Sequence, residues 1–161
     1  MDTLVKAIEG GSLNAWINAS AWLWPLLEIV HFIGLTLLLG SLLIIDLHLA
    51  GWVRKTDVTA VHALVPWSIL GFLMNLLSGA LFLIGDPARY WENTAFRLKM
   101  GLIVIAGLNA IWFFRWVRPL MERRYKHGDS PASAKTAAIV SLFGWLGVLL
   151  LGRLIPYVGS G

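Results

Sequence analysis

Four apolar runs divide the chain, at roughly residues 24–53, 59–84, 95–117 and 135–155. Each is longer than the roughly 20 residues a helix needs to cross about 30 Å of hydrocarbon. Their Leu, Ile and Val positions are continuous rather than alternating, so the strands of a membrane barrel are not expected. Polar breaks separate the runs: "RKTD" at 54–57, "GDPARYWENT" at 85–94 and "MERRYKHGDSPAS" at 121–133. Breaks this short favour antiparallel neighbours. The pattern therefore predicts one all-α integral membrane domain over residues 1–161, a four-helix up-down-up-down bundle. Ahead of the first run, Ser12 is placed to cap a short helix through Trp16 and Ile17. That helix is expected to lie in the membrane interface. The first twenty residues carry Asp2, Lys6, Glu9 and Asn14 and do not read as a signal peptide.

Composition agrees with the pattern. The chain is 58% hydrophobic and 14% charged, with mean hydropathy +0.73. A soluble domain is closer to half apolar and a quarter charged. Nine Trp and seven Phe suit a protein with two lipid interfaces to anchor. The absence of Cys excludes disulfides, iron–sulfur clusters and thiolate chemistry. The net charge of +4 comes from basic residues beside apolar runs, which fits lipid headgroups and not nucleic acid. Arg54, Lys55, Arg115, Arg118, Arg123, Arg124, Lys126 and Lys135 on one side outnumber Lys6, Arg89, Arg97, Lys99 and Arg153 on the other. The richer side is expected to face the cytoplasm, with both termini on the periplasmic side of a bacterial inner membrane.

The polar residues inside the runs then matter most. At about 100° per residue, Glu28, His31, Gly34, Ser41, Asp46 and His48 share one arc of about 160° on the first span. Leu39, Leu43 and Leu47 fall largely outside it. Polar groups facing lipid are costly, so this arc should face the bundle. Gly71, Asn75, Ser78 and Gly79 make a small-and-polar stripe on the second span. Lys99, Ala106, Asn109 and Ala110 follow on the third, and Ser141, Gly144, Gly152 and Arg153 on the fourth. Small residues of this kind either let helices pack closely or leave room for a flat cofactor.

Depth sorts the candidates. The first and third spans run in the same direction, and His31 and Lys99 both lie near their starts, so the two should share a level. His48 and His62 flank the first turn at the opposite end. His31 and His48 are about 25 Å apart along the helix and cannot ligate one iron. Glu28-x-x-His31 has the spacing of di-iron carboxylate bundles, but those need two such motifs and two more Glu, and one copy is present. Glu28 is then either an interfacial residue or the group that orients His31. Lys99 either snorkels to the interface or turns inward. His48 and His62, with Asp46 near, form an alternative second metal site, or are interfacial histidines. His127 lies in a basic loop. The four Met are too scattered for a soft-metal path.

The stretches "LEIVHFIGLTLLLGSLLIIDLHLAGW" and "VPWSILGFLMNLLSGALFLIGDPARYWENTAFRLKMGLIVIAGLNAIWFF" resemble an uncharacterised bacterial family of four-helix membrane proteins. That family is distantly similar to the copper-resistance D proteins and to the J-type protoporphyrinogen oxidase. In the oxidase, a histidine early in the first helix ligates haem b and a lysine early in the third is needed for activity. His31 and Lys99 match these positions, while Leu108-Asn109 stands where the oxidase has a Tyr-His pair. The resemblance implies a haem b-binding membrane protein, an oxidoreductase or electron carrier linked to a quinol or a porphyrin. His31 would be the iron ligand, and Lys99 the second ligand or a propionate partner along with Arg97. Glu28 would orient His31, and Gly34, Asn75 and Asn109 would line the pocket. A homodimer is compatible with the Trp-rich faces. The alternatives are a cofactor-free transporter or metal-handling protein relaying protons or cations through His31, Asp46 and Lys99, and a structural membrane subunit.

Overall fold

The computed structural model describes residues 2–53, 58–124 and 131–158. Arg54, Lys55, Lys126 and His127, which enter the expectations above, lie outside the described residues. Two short helices come first, α1 (Asp2–Glu9) and α2 (Ser12–Ala19). The first span is α3 (Leu23–Ala50). It stops before the expected Val53 because Gly51 adopts a left-handed φ of 83°. The Gly51 N–H then reaches His48 O and the Trp52 N–H reaches Leu47 O, both at 3.0 Å. These bonds satisfy carbonyls that the helix end would otherwise leave free.

The run expected from residue 59 is divided. A short helix, α4 (Val58–His62), is followed by a turn, and Pro66 sits in the first turn of α5 (Val65–Gly85), where its missing N–H costs nothing. The second break contains α6 (Pro87–Trp91), whose first turn is capped by Asp86 accepting the Arg89 N–H at 3.2 Å. The third span begins as α7 (Thr94–Trp112), widens into a π turn at Phe113–Val117 and continues as α8 (Arg118–Arg124). It therefore runs past the expected end at Val117. Pro119 has no N–H for the carbonyl four residues back. The turn before it opens, so the Arg118 N–H reaches Phe113 O five residues back and the helix carries on. The fourth span is α9 (Ala132–Leu154). These four spans are long and apolar enough to cross a membrane.

The bundle is two antiparallel hairpins, α3 with α5 and α7 with α9, joined where α3 packs on α9. Helix α7 leans on α9 and hardly touches α3 or α5. The spatial order is thus α5, α3, α9, α7. The α3–α5 crossing is the tightest. A Cβ on Gly71 would sit 2.5 Å from Leu38 N and 2.6 Å from Gly34 O, and one on Gly34 would sit 2.7 Å from Asn75 Nδ2. Glycine at both positions lets the two backbones touch. At the α3–α9 seam the buried face of α9 is also small: Ala134, Ala137, Ala138 and Ser141. Large side chains such as Phe32, Leu77, Leu108 and Phe143 point outward, as lipid requires.

One end of the bundle holds the starts of α3 and α7 and the finishes of α5 and α9. Three asparagines close it. Asn14 Nδ2 donates to Ile84 O at 2.7 Å and to Gly85 O at 3.1 Å, and Asn18 Nδ2 donates to Gly85 O at 2.9 Å. Asn93, only 3% exposed, accepts the Phe96 N–H at 3.1 Å and so caps α7. Its amide donates to Ile155 O at 2.8 Å and to Val158 O, capping α9 as well. Helix α2 does not merely lie in the interface. Its Ile17 is fully buried, close to Gly85, and its N-cap is Gly11 rather than the expected Ser12.

Candidate functional site

His31 lies two turns into α3 from this capped end, half-buried against α5. Its Nδ1 is 2.7 Å from Ser78 Oγ. The serine hydroxyl, 1% exposed, is itself 2.6 Å from Met74 O. A hydroxyl has one proton, and a carbonyl can only accept. The Ser78 proton therefore goes to Met74 O, and Ser78 Oγ must accept from His31. That assigns the proton to Nδ1 and leaves the Nε2 lone pair free. Among the described residues no protein group hydrogen-bonds Nε2. Phe82 lies edge-on to the imidazole with ring centroids 5.5 Å apart, and Trp24 stacks on Phe82 at 5.6 Å. The partner of the second ring nitrogen is thus Ser78, not Glu28. Glu28 is exposed, a turn nearer the rim.

Lys99 lies a turn and a half into α7 and is half-buried. Its side chain runs along α9, with Nζ 3.2 Å and Cε 3.7 Å from where a Gly152 Cβ would be. Any larger residue at 152 would displace it. Lys99, on the other hairpin, lies within electrostatic range of His31. Arg97 and Arg89 are exposed at the same end.

The sequence pattern of a family of unknown function, DUF6644, matches residues 25–158, from the first turn of α3 to the residues just past α9. The chain belongs to the DUF6644 family. No curated protein and no solved structure matches it.

The other expected site residues of this DUF6644 protein are placed apart from the His31–Lys99 pair. Gly34 is buried one turn deeper than His31, at the α3–α5 crossing. Asn75 Nδ2 donates to Gly71 O at 2.9 Å and fills the space beside Gly34. Both shape the helix contact below His31 and do not line an open pocket. Asn109 is ten residues past Lys99, about 15 Å deeper, and its Nδ2 donates to Ala137 O at 2.9 Å. It straps α7 to α9 in the far half of the bundle. Asp46 is about 22 Å from His31 along α3, so His31, Asp46 and Lys99 do not form one cluster. His48 Nδ1 is 3.1 Å from Val53 O, closing the end of α3, and His62 is exposed. Among the described residues no three His, Asp or Glu side chains gather as a metal ion would require. Ser78, which fixes the imidazole, is the residue that sequence reasoning placed only in a packing stripe.

Proposed function

We propose that this DUF6644 protein binds a b-type haem between its two hairpins and serves one-electron transfer or redox chemistry on a quinol or porphyrin. The observation that carries the reading is the His31–Ser78–Met74 chain of hydrogen bonds. It holds the imidazole in one tautomer, with Nδ1–H tied and Nε2 bare. Metal-ligating histidines are held in this way, their other nitrogen donating to a fixed acceptor. The residues present fit the group: one imidazole nitrogen for iron, an aromatic wall in Phe82, and cations at the rim. Lys99 would be either a second ligand, when neutral, or a partner for a propionate, and Arg97 and Arg89, exposed at the same end, would meet the other propionate. A bound haem supplies the one-electron couple; the protein sets its potential through ligand choice, burial and nearby charge. Under the sequence resemblance to the J-type oxidase, His31 and Lys99 would take these same roles. Leu108-Asn109 in place of its Tyr-His pair favours electron transfer over porphyrin oxidation. The setting proposed is a bacterial inner membrane with the capped end periplasmic.

Protein purified from haem-replete cells should be red, with a Soret band that shifts and sharpens on dithionite reduction. His31→Ala should lose the band. Ser78→Ala should retain a weaker one with an altered midpoint potential, because Nδ1 loses its acceptor. Colourless, iron-free wild-type protein overturns the proposal, as does a His31→Ala variant with full haem content.

A further inference from the structure

The far half of the bundle contains a group that the His31–Lys99 site does not use. Asp46 is on α3, 5% exposed, in the seam against α9. Its Oδ2 is buried and has no hydrogen-bond partner. Among the described residues, the Ser141 hydroxyl on α9 is the side chain within reach of its carboxyl. The small residues Ala137, Ala138 and Ser141 let α9 close over it. Among the described residues no cation pairs with it. Helix α5 has no charged residue over Val65–Gly85, and His62 on α4 is exposed. On α9, Lys135 is exposed and Arg153 lies near the capped end. His48, the neighbour on α3 itself, is engaged with Val53 O.

A carboxylate in this position would be a buried charge with no cation beside it, which low-dielectric surroundings disfavour. A neutral acid escapes most of that cost, and one hydroxyl partner suits it. Asp46 is also only four residues from the end of α3, about 6 Å below the helix terminus. We propose that Asp46 is a proton-binding site: its carboxyl holds a proton at neutral pH in the α3–α9 seam and exchanges it with the side of the membrane where α3 ends. The distance from His31 makes it a separate site on the opposite side of the bilayer midplane, independent of whether haem is bound.

Infrared spectroscopy of the full chain in lipid nanodiscs, with isotope-labelled aspartate, tests this. At neutral pH a protonated-carboxyl band is expected. It should vanish in Asp46→Asn, move in Ser141→Ala and shift when the sample is transferred to heavy water. Ser141→Ala and a pH titration of the wild type carry the test if Asp46→Asn does not fold. Absence of the band, or its survival in Asp46→Asn, overturns the proposal. Loss of the band on addition of sodium or potassium would identify a metal-cation site and overturn it equally. A band that does not shift in heavy water refutes exchange.

Discussion

Replacing Gly71 with Ala puts a methyl carbon 2.6 Å from Gly34 O and 2.5 Å from Leu38 N. Both are backbone atoms of α3, so no change of rotamer relieves the clash. Moving from 2.5 Å to the 3.4 Å of ordinary contact requires α3 and α5 to part by about 0.9 Å. Overpacking of this kind costs about 1–3 kcal/mol, and rigid backbone on the far side puts it near 3. Alanine returns about 1 kcal/mol of helix propensity. The net loss is then about 2 kcal/mol, or roughly 30-fold in the unfolding equilibrium. Gly40, on the lipid-facing side of α3, provides the control, since a Cβ there meets nothing within 4 Å. Gly40→Ala should be neutral or stabilising by up to about 1 kcal/mol. Reversible unfolding in mixed micelles under SDS titration reads both. Parting the helices also stretches the 2.7 Å bond between His31 and Ser78, so the Nδ1 nitrogen resonance should move in Gly71→Ala and stay fixed in Gly40→Ala. Equal stability changes of the same sign at the two glycines would refute the reasoning.

Asn93→Ala removes a cap from α7 and leaves the carbonyls of Ile155 and Val158, just past α9, without their donor, a loss of about 2–3 kcal/mol; amide exchange should quicken at Phe96 and in the last turn of α9 together, and quickening at one place alone would contradict the double role. Asn14→Ala with Asn18→Ala frees Ile84 O and Gly85 O, which should lower thermal stability and speed exchange in α2, with the spectrum of His31 unchanged. Gly152→Leu occupies the space beside Lys99 Nζ, so labelling of Lys99 by an amine-reactive reagent should rise several-fold; unchanged labelling would mean the lysine does not lie along α9.

The spans were legible because each apolar run is long and its ends are polar, and the errors sit at particular residues. Val53 falls outside α3 because Gly51 turns the backbone, which hydropathy does not register. The helix passes Pro119 because a π turn absorbs the missing donor. His31 and Lys99 could be placed near one level from the shared direction of two helices. Ser78 could not be singled out, since a hydroxyl in an apolar run reads as a small packing residue until its two neighbours are known. Glu28 lies within the polar arc of α3, yet its depth puts it in the open. Asn93 sits in a segment that reads as a break and Asn14 and Asn18 in or beside a helix that reads as interfacial, and their partners are carbonyls more than sixty residues away. An arc drawn on one helix cannot contain that information.

The order α5, α3, α9, α7 also bears on how the protein is made. Each hairpin can form as soon as its second helix enters the bilayer, but the contact between hairpins joins the first span to the last. Until α9 has been synthesised, Asp46 lacks the alanine-rich face that covers it and Lys99 lacks the glycine it lies against. A nascent chain paused after α7 therefore presents an acid and a base to the acyl chains, a mark that membrane proteases and insertases can read as unfinished.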